Sequence, residues 1–141
     1  MTPTDPFRPR ADLSAVIAVG GALGSLGRWG VAELLPDRAA ELPWSVLLVN
    51  VTGSLLLGVL AALMLTVWRD VRYVRPFLGV GVLGGYTTFS TYALDGHDLL
   101  AAGRPAAALA YLAGSVVAGL VAVAVGLSLT LRVVGTPEAD S

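Results

Sequence analysis

The chain contains no cysteine, a single histidine (His97) and only 13% charged residues among its 141 positions. Without cysteine, disulfides and thiolate metal sites are excluded. One histidine argues against a zinc or haem centre. Lysine is absent too: all nine basic residues are Arg, a skew that fits genomic bias better than function. A net charge of −1 gives no global field to draw in nucleic acid. The apolar stretches hold no nucleophile–base pair and no carboxylate pair, which argues against an enzyme. What is present is hydrophobic: 55% of the residues and a mean hydropathy of +0.76. Soluble domains usually hold about 45–50% apolar residues even with glycine counted. The length suits one domain.

Four apolar stretches, each near the ~20 residues of a membrane-spanning helix, predict an all-α membrane protein. They cover about 13–35, 43–68, 75–100 and 105–132. Trp44 and Trp68 sit at the two ends of the second, as in an aromatic belt. Residues 1–12 and 133–141 are polar tails. The turns Pro36–Leu42, Arg69–Val74 and Ala101–Arg104 leave no room for a soluble domain, so any function lies in the bundle. Arg8 and Arg10 before an apolar run imitate a signal peptide, but Asp5 and Asp12 share that region, the run continues to about Leu35, and further spans follow.

With four spans, both termini share a side with the second loop. That side carries six arginines (Arg8, Arg10, Arg69, Arg72, Arg75, Arg132) against two opposite (Arg38, Arg104), with Arg28 inside the first span. This bias predicts cytoplasmic termini. Small residues predict helix contacts: Gly20 and Gly24 form a GxxxG pair, and Gly114, Ala118, Ala122 and Gly126 recur every four residues in the fourth span. Such faces serve packing within one chain or an interface between chains. Four helices enclose little space, so a pore is more easily built from two copies.

The run Gly84-Gly85-Tyr86-Thr87-Thr88-Phe89-Ser90-Thr91-Tyr92 puts four Ser/Thr residues and two glycines inside the third stretch. Glycine weakens a helix, and threonine hydroxyls compete for its backbone. Backbone that leaves the helix at membrane depth must be buried in protein or line a wet cavity, so a break mid-membrane marks a site. Its free carbonyls suit a cation; its N–H groups and hydroxyls suit an anion. Phe89 and Tyr92 project to one side, and their weakly positive ring edges can lie against an anion. Asn50 shares a face with Ser54 and Gly58 in the second span. It either joins two helices or presents its donors to a permeating anion, and the other polar residues favour the second role. Arg28 is costly in a span and is a functional candidate, unless it snorkels. Asp95 can cap, pair with Arg28 or stand idle. Asp95, His97 and Asp98 lack a fourth ligand for a metal. Gly79, Gly81 and Gly84 match a dinucleotide fingerprint without the strand–turn–helix it needs, and Asn50-Val51-Thr52 matches a glycosylation signal inside the bilayer.

The residues Gly20-Gly21-x-x-Gly24-x-x-x-Arg28, Asn50-x-x-Gly53-Ser54-x-x-x-Gly58 and Gly84-Gly85-Tyr86-Thr87-Thr88-Phe89-Ser90-Thr91 resemble the CrcB/Fluc fluoride channel family across all four spans. The Thr-Thr-Phe-Ser-Thr core is the specific part. The resemblance implies an antiparallel, dual-topology dimer with two fluoride pores. It implies a structural sodium ion at the dimer centre, held by backbone carbonyls at positions matching Gly84 and Thr87. Fluoride contacts are implied from Asn50, Phe89 and Tyr92, and from the hydroxyls of Thr88, Ser90 and Ser115. The family usually has phenylalanine where this chain has Tyr92. Arg28 and Asp95 match family positions without an assigned role.

The reading is therefore a passive fluoride exporter of the plasma membrane, working as a homodimer or with an oppositely inserted paralogue. Neutral donors fit it, because conduction needs binding weak enough to release the ion. Two alternatives are a small proton-coupled multidrug transporter, which wants a mid-membrane acid in the first span where only the terminal Glu33 occurs, and a non-conducting accessory subunit. The six-to-two arginine bias opposes even dual insertion and predicts one dominant orientation.

Overall fold

The computed structural model describes residues 11–37, 41–69 and 71–135. Among them every regular element is helical: α1 (Ala11–Leu34), α2 (Trp44–Thr66), α3 (Arg75–Leu83, prolonged by the turn Gly84–Tyr86), α4 (Ser90–Ala101) and α5 (Pro105–Val134). Three of these, α1, α2 and α5, are each long and apolar enough to cross a membrane. The remaining apolar stretch is shared between α3 and α4. Over Arg75–Leu83 the helix is wound with the wide i→i+5 pattern, which is rare and recurs at functional sites. Of the expected tails, 1–12 and 133–141, residues 1–10 and 136–141 lie outside the described residues, while Ala11, Asp12, Val133 and Val134 belong to the helices beside them.

Two parallel pairs make the bundle. In the first, α1 lies against α3 backbone to backbone. A Cβ at Gly20 would stand 3.0 Å from the Gly81 Cα, and one at Gly24 would run into the Val82 carbonyl and stand 2.8 Å from the Tyr86 nitrogen. In the second, α2 lies against α5: a Cβ at Gly126 would meet the Leu55 carbonyl, and one at Gly119 would stand 3.3 Å from Ser54 Oγ. Small residues let such backbones approach where lipid offers no hydrophobic drive.

The four-residue stripe expected on the last span divides between packing within the chain and open surface. Ala122 and Gly126 are buried, but Gly114 is exposed and has open space around it. A four-residue step drifts about 40° round a helix of 3.6 residues per turn. The buried seam instead runs through Ala108, Tyr111, Ser115, Ala122 and Gly126.

Local chemistry closes the ends. Asp37 accepts the Ser45 N–H (3.1 Å) and the Ser45 hydroxyl at the start of α2, a side-chain cap for free N–H groups. Gly103, at φ 71°, ends α4. Arg104 N donates to Leu99 O and Gly103 N to Leu100 O, each at 3.0 Å. This is the Schellman pattern, which favours glycine at the left-handed position, and Pro105 opens α5 without needing a helical N–H. At the opposite end Asp12 accepts from Arg72 at 2.7 Å and from the Tyr73 hydroxyl at 3.0 Å, tying the start of α1 to the loop before α3.

The interior is small. Leu99, Ala108 and Tyr111 form a core joined by Leu42, Leu47, Tyr92 and Leu112. Most large apolar side chains point outward, among them Leu23, Leu56, Leu109 and Leu120.

Candidate ion-binding groove

The helical path stops at Tyr86 and resumes at Ser90. Thr87 is extended at ψ 156°. Its N–H and its hydroxyl both donate to the Leu83 carbonyl, at 3.0 and 2.9 Å, so its side chain competes for the acceptor of the preceding turn. In a continuous helix the Thr88 N–H would donate to Gly84 O. It donates instead to Asn50 Oδ1 at 2.9 Å, while Asn50 Nδ2 donates to Thr88 O at 3.0 Å. One amide from α2 thus satisfies both backbone groups of Thr88. The exchange leaves the Gly84 carbonyl without its helical donor. On the far side of the break, Thr88 Oγ1 accepts the Thr91 N–H at 3.2 Å, capping α4 as an N-terminal threonine does.

Beside this break lies a groove of about 400 Å³. Asn50, Thr88, Phe89, Tyr92 and Ser115 line it, together with Gly84 and Thr87. Of the residues expected at an ion path, Ser90 is the one that does not. It is exposed, and its hydroxyl lies 3.3 Å from Thr88 Oγ1. Ser115 is 8% exposed, and its buried hydroxyl has no hydrogen-bond partner. Asn50 Nδ2 has two hydrogens, of which the Thr88 carbonyl takes one. The groove therefore holds an unpaired hydroxyl and a spare amide N–H among apolar walls. Phe89 is 79% exposed, its ring 5.8 Å from that of Tyr92.

Arg28 and Asp95 line a second cavity, of about 450 Å³, with Ser25, Trp29, Asp37 and Thr91. No ion pair joins them. Asp95 accepts the Tyr111 hydroxyl at 3.2 Å, and the Arg28 Nε is buried without a partner. Thr88 lines both cavities, so its hydroxyl cluster with Ser90 and Thr91 stands between them.

Residues 15–127 match the family described as CrcB-like protein, Camphor Resistance (CrcB). The chain belongs to the CrcB family. Similar members include proteins named fluoride-specific ion channel FluC 2 from Streptomyces avermitilis, 47% identical over 75% of this chain and 67% of that one, and from Nocardia farcinica, 46% identical over 78% and 79%. The fluoride-specific ion channel FluC of Nitrobacter winogradskyi is 44% identical over 80% of this chain and 90% of its own. Membership and three apolar helices make this CrcB protein a membrane protein.

The sequence-based site leaves out Ser54 and Asp37, which line the two cavities, and Tyr111, which stands behind them. Ser54 lines the groove; its signal is the face it shares with Asn50 four residues earlier. Tyr111 backs Tyr92 at 5.5 Å and lies four residues before Ser115, also on one helix face. Asp37 had no signal beyond its place in a turn.

Proposed function

We propose that the chain is a subunit of a fluoride-selective channel that lets fluoride leave the cytoplasm passively and so lowers its toxicity. The observation carrying this reading is the groove, in which the buried, unpaired Ser115 hydroxyl and the Asn50 amide face the Phe89 and Tyr92 rings. Fluoride is small and tightly hydrated, so a path must replace its water with strong donors that still release it. Hydroxyl, amide and ring edge do this without a buried full charge. The relatives named fluoride-specific channels support the choice of ion. Glu33, the acid a proton-coupled transporter would need deep in the first span, is exposed in the last turn of α1.

In this reading α3 and α4 are the two halves of one broken span, giving four spans with the break mid-membrane. The groove opens on the outside of the chain at the exposed Phe89. Lipid cannot satisfy its carbonyls and hydroxyls, so a second copy or a paralogue covers it, inserted the opposite way. The Gly84 and Thr87 carbonyls fit a hard cation, because the break frees the first from its helical bond and turns the second out of the helix. They would hold a structural sodium ion together with the partner's oxygens, supplying positive charge at the dimer centre. Relatives named FluC 2 and FluC 3 occur together in Streptomyces avermitilis, in keeping with pairing between paralogues. The arginine-rich end, where Asp12 meets Arg72, faces the cytoplasm of the plasma membrane. Topology tags on the chain expressed alone are expected to report one dominant orientation. An even split with full activity overturns that part.

The deciding measurement is efflux from liposomes, with chloride as control. Fluoride efflux with background chloride is expected; absence of fluoride-selective flux even with a co-expressed paralogue defeats the reading. Phe89→Ile is expected to cut fluoride flux by about tenfold or more, equivalent to ~1.4 kcal/mol in the barrier, with the dimer intact on size-exclusion chromatography. Unchanged flux removes Phe89 from the ion path.

A further inference from the structure

Tyr92 lines the groove with its ring but gives its hydroxyl elsewhere: it donates to the Leu112 carbonyl of α5 at 2.7 Å. A helical carbonyl has a second lone pair beyond the one its helix uses, so the bond costs α5 nothing. The reach is built into α4. Tyr92 and Gly96 share a face four residues apart, and a Cβ at Gly96 would stand 2.6 Å from Leu112 Cδ2. The missing side chain at Gly96 lets α4 approach α5 closely at the level of Leu112. The ring itself sits between Phe89 at 5.8 Å and Tyr111 at 5.5 Å, each tilted by 42°.

We propose that the Tyr92 hydroxyl is a positioning group of the ion path. It pins the ring to α5, so that the Tyr92 edge, and the exposed Phe89 that rests on it, keep one geometry toward the groove. The hydroxyl does not touch the permeating ion. This rests on the fluoride-channel reading. It makes the tyrosine an anchored form of an aromatic wall. The acceptor is backbone, so it persists through side-chain changes at Leu112.

The test uses the full-length chain in liposomes, with Tyr92→Phe and with 4-aminophenylalanine at position 92, which restores a donor at the ring's far end. Tyr92→Phe is expected to lower fluoride efflux about fivefold, the factor one net hydrogen bond carries, with an unchanged size-exclusion profile; 4-aminophenylalanine is expected to restore it. In fluoride-free buffer the Leu112 carbonyl carbon resonance is expected to move upfield in Tyr92→Phe and to return with the amine. An unmoved Leu112 resonance overturns the pin, and so does wild-type flux in Tyr92→Phe or failure of the amine to rescue. If the parent chain carries no fluoride at all, the channel reading fails, while the Leu112 resonance still decides whether the hydroxyl is pinned.

Discussion

Asn50→Ala is expected to abolish measurable fluoride efflux and to destabilise the chain as well. The amide satisfies the Thr88 N–H at 2.9 Å and the Thr88 carbonyl at 3.0 Å, in the one stretch where α3 and α4 leave those groups without helical partners. Alanine removes both at once. Each buried group left unpaired costs about 1–3 kcal/mol, so the pair amounts to roughly 2–6 kcal/mol. A barrier raised by ~3 kcal/mol slows conduction about 100-fold. The structural and conducting roles separate in Asn50→Asp. The carboxylate keeps an acceptor for the Thr88 N–H, but it loses the donor to the Thr88 carbonyl and the spare donor facing the groove, and it adds a negative charge. Its melting temperature is therefore expected to lie between those of the parent and of Asn50→Ala, with no fluoride flux at neutral pH. If Asn50→Asp conducts fluoride like the parent, the amide donor has no part in the path. If Asn50→Ala melts like the parent, the Thr88 bonds contribute nothing to the fold.

The Asn50 geometry also marks how far residues alone could lead. The sequence left two roles open for that amide, a link between helices or a donor to an anion. The structure shows the link directly, to the backbone of the break, and leaves one hydrogen over. The order of the apolar stretches, their short turns and the polar run at 84–92 were legible because lipid imposes simple demands: about 20 apolar residues per span and no unsatisfied backbone. Partners across helices were not. No spacing rule says that Tyr111, rather than Arg28, approaches Asp95, because that depends on how α4 and α5 rotate against each other. The stripe on the last span packs within the chain only in part, for a related reason: a strict four-residue repeat drifts off a face set by a 3.6-residue turn. Ser90 entered the expected ion path through the family resemblance; it is exposed and does not line the groove that Thr88 lines, although the two hydroxyls lie 3.3 Å apart.

Gly24→Ala is expected to be the most damaging single methyl in the chain. The added carbon would run into the Val82 carbonyl, and it would stand 2.8 Å from the Tyr86 nitrogen and 2.9 Å from the Val82 carbonyl carbon. All three obstacles are backbone, so no side-chain rotation relieves them. α1 must instead move away from α3, and Tyr86 is the residue at which α3 stops before the break. Overpacking of this kind costs about 1–3 kcal/mol and occasionally more, and the rigid obstacle puts this site at the upper end. The break then loses its support from α1, including the Ser25 hydroxyl bond to the Gly85 carbonyl, so conduction is expected to fall with stability. Gly30→Ala is the matched control on the same helix. Nothing lies within 4 Å of a Cβ there, and alanine gains about 0.5–1 kcal/mol over glycine inside a helix. Thermal melts in detergent are expected to show Gly24→Ala well below the parent and Gly30→Ala at or above it. Equal melting of the two variants would mean that the close contact between α1 and α3 does not hold the bundle, and would separate the ion groove from the packing that places it.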